Sequence, residues 1–368
     1  MLKSTVKSRE KIDYLLLGIV SILVLLGILM VFSSSAFLSQ KKFGYPFYFL
    51  FHHLFFGILP GIILGYFIFK TPLYVLKKMS FWIFLANLFL MILVFLPGIG
   101  VKFGGAFRWI DLKFATFQPS ELLKLTFLIY LSAWLSEKEK ASKREVFFGF
   151  LILLSLMALP LIFQPDISTL IIISLSGTLL YFLCQGSLKY LFFLFLMGVF
   201  SLWFLIKIAP YRMARIMAFL NPETDPLGIG YQINQALITI GSGGIFGKGL
   251  GMSQQKFGFL PQSLTDSIFA IYAEETGFLG SFLIIFLFFL FFWRGFSIAE
   301  NVPDKFSQLL GAGITFWITV QAFFNIGSLT GLLPVAGTSL PFIGYGGSAL
   351  ISQLIGIGVL LNISKKVS

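Results

Sequence analysis

Uninterrupted apolar stretches of about 20 residues recur along this chain, and such a stretch has few options other than crossing a bilayer as a helix. In lipid every backbone amide must find its partner within the segment. A β-barrel would solve the same problem, but it needs alternating apolar and polar positions, and these runs are continuous. Ten stretches can be read, at about 13–34, 46–69, 79–97, 119–136, 146–163, 167–184, 187–209, 267–293, 306–330 and 344–363. The fourth is unusual because it carries Glu121 and Lys124. The expected fold is an all-α integral membrane protein of about ten transmembrane helices. It forms a single polytopic membrane domain over 1–368, with a large loop at 210–265 between spans 7 and 8.

An even number of spans places both termini on one side. With the termini cytoplasmic, sixteen Lys and Arg fall in the inner segments and ten in the outer ones, five of the ten within 207–265. Long loops count little in the orientation rule, so both termini are expected to be cytoplasmic and the 210–265 loop extracytoplasmic. The net charge of +12 is then an orientation signal and implies no nucleic-acid partner. The first apolar run outlasts a signal-peptide core, so a cleavable leader is not expected. The large loop mixes Pro, Gly and apolar clusters. It is expected to fold against the membrane surface, with a short amphipathic helix at 231–240 and a turn at 221–226.

The sequence excludes several chemistries. A lone cysteine, Cys184, allows neither a disulfide within the chain nor a cysteine metal cluster, and the only histidines are His52 and His53. The stretch from Gly241 to Lys248 looks like a phosphate loop but has Ser242 and Gly249 at required positions. Ser253 and Lys256 fit a Ser-x-x-Lys pattern without the elements that accompany it in acyl-serine enzymes.

Asp266 is the residue most in need of an explanation. It sits where the Gly-rich stretch 247–258 gives way to an apolar helix, at the expected outer face, and a carboxylate at a bilayer edge is costly without a role or a partner. Glu121 and Lys124, at i, i+3, read either as a local ion pair or as a pair facing substrate. Arg108, in an expected outer loop, suits a phosphate contact. Asp166 could cap the sixth span or belong to the site. Glu274 and Glu275 lie about 80° and about 180° around a helix from Asp266, so they cannot both face it. Gln321 and Asn325 share one face of the ninth span and are suited to joining helices.

These residues sit in ordered motifs that resemble the SEDS family of membrane-embedded cell-wall polymerases. The motifs are Gly105-Ala-Phe-Arg-Trp-Ile110, Phe117-Gln-Pro-Ser-Glu-Leu122, Gln164-Pro-Asp166, Phe219-Leu-Asn-Pro222, Gly230-Tyr-Gln232, Gly247-Lys-Gly249, Thr265-Asp266 and Gly344-Tyr-Gly-Gly-Ser348. Thr330-Gly-Leu-Leu-Pro334, Leu340-Pro-Phe342 and Leu361-Asn-Ile-Ser364 favour the FtsW division branch over the RodA elongation branch. The chain departs from the family at Gln262, Leu264 and Ser267, where Glu, His and Phe are usual, and at Gly344, where Ser is common.

The resemblance implies a glycosyltransferase of the bacterial inner membrane that polymerises lipid II onto a lipid-linked glycan strand. Asp266 would be the general base. Arg108, Glu121, Lys124, Asp166, Lys248 and Lys256 would bind substrate. No resident cofactor or metal site is expected, although a divalent cation, Mg or Mn, could share the diphosphate charge. Implied partners are a class B penicillin-binding protein and other divisome or elongasome membrane proteins. The competing readings are a lipid II flippase and a non-catalytic scaffold for the penicillin-binding protein.

Overall fold

The structure is a computed structural model that describes residues 12–103, 106–113, 115–138, 140–224, 228–335 and 337–367. The chain begins with α1 (Tyr14–Phe43). There follow α2 (Tyr48–His53), a π-helical turn (Leu54–Ile58) and α3 (Leu59–Lys70), which together make one span, and then α4 (Leu73–Leu93). Three short strands come next, β1 (Gly100–Phe103), β2 (Ala106–Asp111) and β3 (Thr116–Phe117), in an antiparallel sheet of order β1-β2-β3. The sequence had suggested only a loop there, so Arg108 stands on a strand. Helices α5 (Pro119–Glu137), α6 (Lys143–Phe163), α7 (Ile167–Gln185) and α8 (Leu188–Ile208) complete the first part of the bundle.

The segment expected as the large loop contains two helices, α9 (Pro210–Leu220) and α10 (Ile229–Ser242). The second matches the expected amphipathic helix; the first was not foreseen. Pro222–Thr224 forms a 3-10 turn, and 225–226 of the expected turn lie outside the described residues. The chain closes with α11 (Ile268–Glu300), α12 (Lys305–Leu329) and α13 (Gly347–Ser364).

Among the described residues, nine helical segments are long and apolar enough to cross a membrane on their own. Helix α5, expected as the fourth span, is not among them, and its surroundings explain how it accommodates charge. It is packed among α4, α7, α12 and α13, so Lys124 is only 1 % exposed and is paired in place. Burial also separates the centre of the bundle from its rim. In α13, 78 % of the apolar window is buried inside the protein, against 6 % in α8, which lies on the outside.

Local sequence sets the helix ends. Asp13, Ser142, Asp166 and Asp304 each accept a backbone N–H from the first turn of α1, α6, α7 and α12. Asp13 also pairs with Arg294 at 2.6 Å, which ties the start of α1 to the end of α11.

Helix α11 is broken at Gly277, where φ is 69° and ψ is −162°. The loop after α10 is sewn into this break. Lys248 N and Gly249 N donate to the carbonyls of Glu274 and Glu275, and Phe278 N and Leu279 N donate back to those of Gly244 and Ile245. A Cβ at residue 277 would fall 2.3 Å from Gly247 N, in a backbone region that L side chains rarely enter. Gly277→Ala should therefore destabilise the protein by about 2 kcal/mol or more, read as a lower thermal midpoint in detergent.

Candidate functional site

Asp266 lies in a tight turn just ahead of α11. Thr265 N and Ser267 N both donate to Gln262 O, at 3.1 and 3.2 Å. The turn is clamped from α12. Asn325 Nδ2 donates to Asp266 O at 2.8 Å and to Thr338 O at 2.6 Å. One helical turn earlier, Gln321 Nε2 donates to Ser339 O at 3.1 Å, while Gln321 Oε1 accepts from Lys124 Nζ at 2.8 Å and from Trp317 Nε1 at 3.1 Å. Lys124 pairs with Glu121 at 2.7 Å. The i, i+4 amides of α12 thus join α5, the Asp266 turn and the segment 338–339. Asp266 is held through its main chain. Its carboxylate faces Gly337, where a Cβ would lie 3.7 Å from Oδ2.

Position 264, Leu here, is also fixed by its backbone, since Leu264 O accepts from Tyr345 N at 2.9 Å. The Tyr345 hydroxyl lies 2.9 Å from His52 Nδ1, and the neighbouring His53 is buried.

Arg108 projects from β2 and grips the turn before α7, donating through Nε to Gln164 O at 2.8 Å and through Nη2 to Pro165 O at 2.5 Å. Asp166 is 7 % exposed; it caps α7 and accepts from Ser120 Oγ at 3.0 Å. The capping role suggested by the sequence is therefore present.

Arg215, on α9, was missed by the sequence reading. It lies in the same electrostatic neighbourhood as Asp266, Asp166 and Arg108, half-buried. Burial pushes its guanidinium below the ordinary arginine value and Arg108 adds to that shift, while Tyr211, Asp266 and Asp166 oppose it. The sequence held a signal. Pro210 is a good first helical residue, and Arg212 and Arg215, three apart, share a helix face.

The same neighbourhood acts on Asp266, whose carboxyl is pushed up to about 6. Burial is the largest cause; Glu121 and Asp166 raise it further, and Arg215 and Arg108 hold it down. Asp266 is therefore ionised at neutral pH while having a high proton affinity for a carboxylate. That suits a group that must take up a proton.

Lys248 and Lys256 do not join this constellation. Lys248 pairs with Glu274 at 2.6 Å, and Glu274 also accepts from Ser253 Oγ. Lys256 is 5 % exposed and held by Glu275 at 3.0 Å, by Gly251 O at 2.6 Å and by Ser33 Oγ at 3.2 Å. Both lysines are paired with the glutamates of α11, away from the turn that carries Asp266. Lys124 is likewise enclosed, by Glu121 and Gln321. Among the described residues, no three His, Cys, Asp or Glu side chains converge as metal ligands.

Comparison with known proteins extends this picture over the whole chain. The family model of the cell cycle protein family FtsW/RodA/SpoVE matches residues 13–368. The chain is similar to stage V sporulation protein E of Bacillus subtilis (strain 168), with 40% identity over 355 residues that cover 96% of this chain and 97% of that one. It is similar also to a probable peptidoglycan glycosyltransferase FtsW of Coxiella burnetii, with 38% identity over 347 residues and 93% of each chain covered. Among solved structures, it superposes with a TM-score of 0.78 and 25% identity on a chain from work on the structural coordination of polymerization and crosslinking by a peptidoglycan synthase complex, covering 97% of this chain and 98% of that one. Thermus thermophilus rod shape determining protein RodA shares the fold, at a TM-score of 0.71, 24% identity and 97% coverage of each chain.

Proposed function

We propose that this chain, which belongs to the FtsW/RodA/SpoVE family of cell cycle proteins, is a peptidoglycan glycosyltransferase whose general base is Asp266. The activity agrees with curated relatives named probable peptidoglycan glycosyltransferase, and the names FtsW and stage V sporulation protein E accord with the division-branch resemblance. Asp266 carries the mechanistic reading: a carboxyl with a raised proton affinity, fixed by its backbone and flanked by two arginines.

The acceptor is a lipid II sugar hydroxyl, and the donor is a glycan strand linked to a lipid diphosphate. The hydroxyl oxygen attacks the donor anomeric carbon and gives its proton to the Asp266 carboxylate. The bond from the anomeric carbon to the phosphate oxygen breaks, and the lipid diphosphate leaves with the electron pair. Arg108 and Arg215 face the charge that develops on it, as planar guanidiniums suited to phosphate oxygens. Glu121 and Lys124 act on the site through Gln321, by placing the segment beside Gly337. Asp166 positions the turn that Arg108 grips.

The expected even count of spans and the distribution of basic residues support cytoplasmic termini in the bacterial inner membrane and an outer-face position for Asp266. The solved peptidoglycan synthase complex supports a class B penicillin-binding protein as partner.

The deciding experiment is glycan-strand formation from lipid II by the purified protein in proteoliposomes, with and without a penicillin-binding protein lacking transferase activity. Strands are expected. Their absence in both arms would favour a flippase or a scaffold.

A pH profile tests the base itself. With the carboxyl at about 6, ionisation should set the acidic limb, so kcat/KM at pH 5 should be about tenfold below its value at pH 7.5. Arg215→Gln removes an attraction that holds Asp266 down, so the limb should move to higher pH while kcat falls as the leaving diphosphate loses a cation. An unmoved limb would take Arg215 out of the site.

A further inference from the structure

A second built site lies toward the opposite end of the bundle. From Glu121 to Glu137, α5 rises about 24 Å. There α4 and α5 line an open cavity of about 580 Å³. Its α4 wall is Tyr74, Lys77, Lys78 and Phe81, spaced i, i+3, i+4 and i+7 on one helical face. Its α5 wall is Tyr130, Trp134 and Glu137, spaced i, i+4 and i+7, and the small residues Ser80 and Ala133 leave the room between the walls.

The aromatic wall is rigid. Tyr130 stacks on Phe84 with ring centres 5.3 Å apart and planes 9° apart, and Trp134 is pressed so closely onto α6 that a Cβ at Gly149 would come within 2.5 Å of its ring. The charge is unbalanced. Glu137 pairs with Lys77 at 3.5 Å, whereas Lys78 is exposed and takes no ion pair among the described residues. The same end of the bundle carries Lys70, Lys138, Lys143, Arg144, Lys365 and Lys366. Beside the cavity, α4 exposes Phe81, Trp82 and Leu85, an apolar face of the kind that lies against acyl chains.

We propose that this cavity binds the phosphate headgroup of an anionic glycerophospholipid. Lys77 and Lys78 meet the phosphate, Tyr130 and Trp134 form the interfacial wall, and an acyl chain runs along the exposed face of α4. Basic pockets between spans with aromatic rims have the chemistry that selects such headgroups over zwitterionic ones. Glu137 tunes the site by competing with the phosphate for Lys77. Nothing in this assignment depends on the reaction at Asp266.

Native mass spectrometry of the full chain in detergent, titrated with phosphatidylglycerol, tests it; phosphatidylcholine and inorganic phosphate are the parallel arms. One tightly retained phosphatidylglycerol is expected, weakened by about fivefold for each lysine in a Lys77→Gln/Lys78→Gln variant. Glu137→Gln should bind more tightly than the unaltered chain, an outcome that misfolding cannot produce. Lys143→Gln/Arg144→Gln removes the same charge from the same end but outside the cavity, and it should retain the lipid. Equal loss in the two double variants would reduce the effect to general attraction by a basic face. Equal retention of phosphatidylcholine would remove the headgroup preference, and displacement of the lipid by inorganic phosphate would identify a free anion as the ligand. Each of these three results overturns the proposal.

Discussion

Asp266→Asn should reduce glycan polymerisation to background, a loss of at least about 10²-fold, the low end of what a positioned general base contributes. The amide has nearly the shape of the carboxyl but cannot accept the acceptor's proton at neutral pH. Folding should survive the change, because Asn325 holds residue 266 by its main-chain carbonyl. Stability should even rise slightly. The folded state raises the Asp266 carboxyl to about 6, so it favours the protonated form, and the stability that this contributes at low pH is lost as pH climbs from the unfolded value through 6. At pH 7.5 the ionised side chain is a net burden that Asn does not impose. A variant with a thermal midpoint equal to or above that of the parent and no strands on a gel would separate chemistry from architecture. Turnover near the parent level would eliminate Asp266 as the base.

Glu275→Leu should be the most damaging single change to stability, costing about 3–5 kcal/mol, because it leaves Lys256 buried and charged without its carboxylate. The two side chains are 0% and 6% exposed, so water cannot take over the missing contact. Lys256→Met added to Glu275→Leu should recover most of the loss, since an apolar pair of similar volume removes the stranded charge. Thermal midpoints of the single and double variants decide this, and polymerisation by the double variant adds a second reading. Normal strands from a chain without Lys256 would confirm that this lysine supports the loop. Activity lost with folding intact would return Lys256 to the substrate.

The contrast between Asp266 and Lys256 shows what the sequence disclosed. Asp266 was legible because its position is a local anomaly, an acid where a Gly-rich stretch meets an apolar helix. The spans were legible because lipid imposes a length and a composition that few other structures share. Even α5 could be read, as Pro119 opens an apolar run whose charges lie i, i+3 and satisfy each other. Lys256 could not be read, because its partner lies on a helix entered only after the intervening turn, and the pairing depends on a break at Gly277. A glycine between Thr276 and Phe278 looks like any other glycine in a membrane helix. The sheet at 100–117 escaped for a different reason: strands of two to six residues are too short for a period to emerge. Arg215 was hidden in a segment taken for loop, although its helix has a recognisable start.

The seam at Gly277 also distributes rigidity. A broken helix usually offers a pivot, yet here each freed amide has been given to the loop, and bending would tear several cross-links together. The first part of α11 and the loop sewn to it are therefore tied into one block, which carries the turn that bears Asp266. The rim is built differently, since only 6% of the α8 window is buried against the rest of the protein. For a polymerase that must keep hold of a lengthening thread, such a cross-linked block would serve as a fixed jaw.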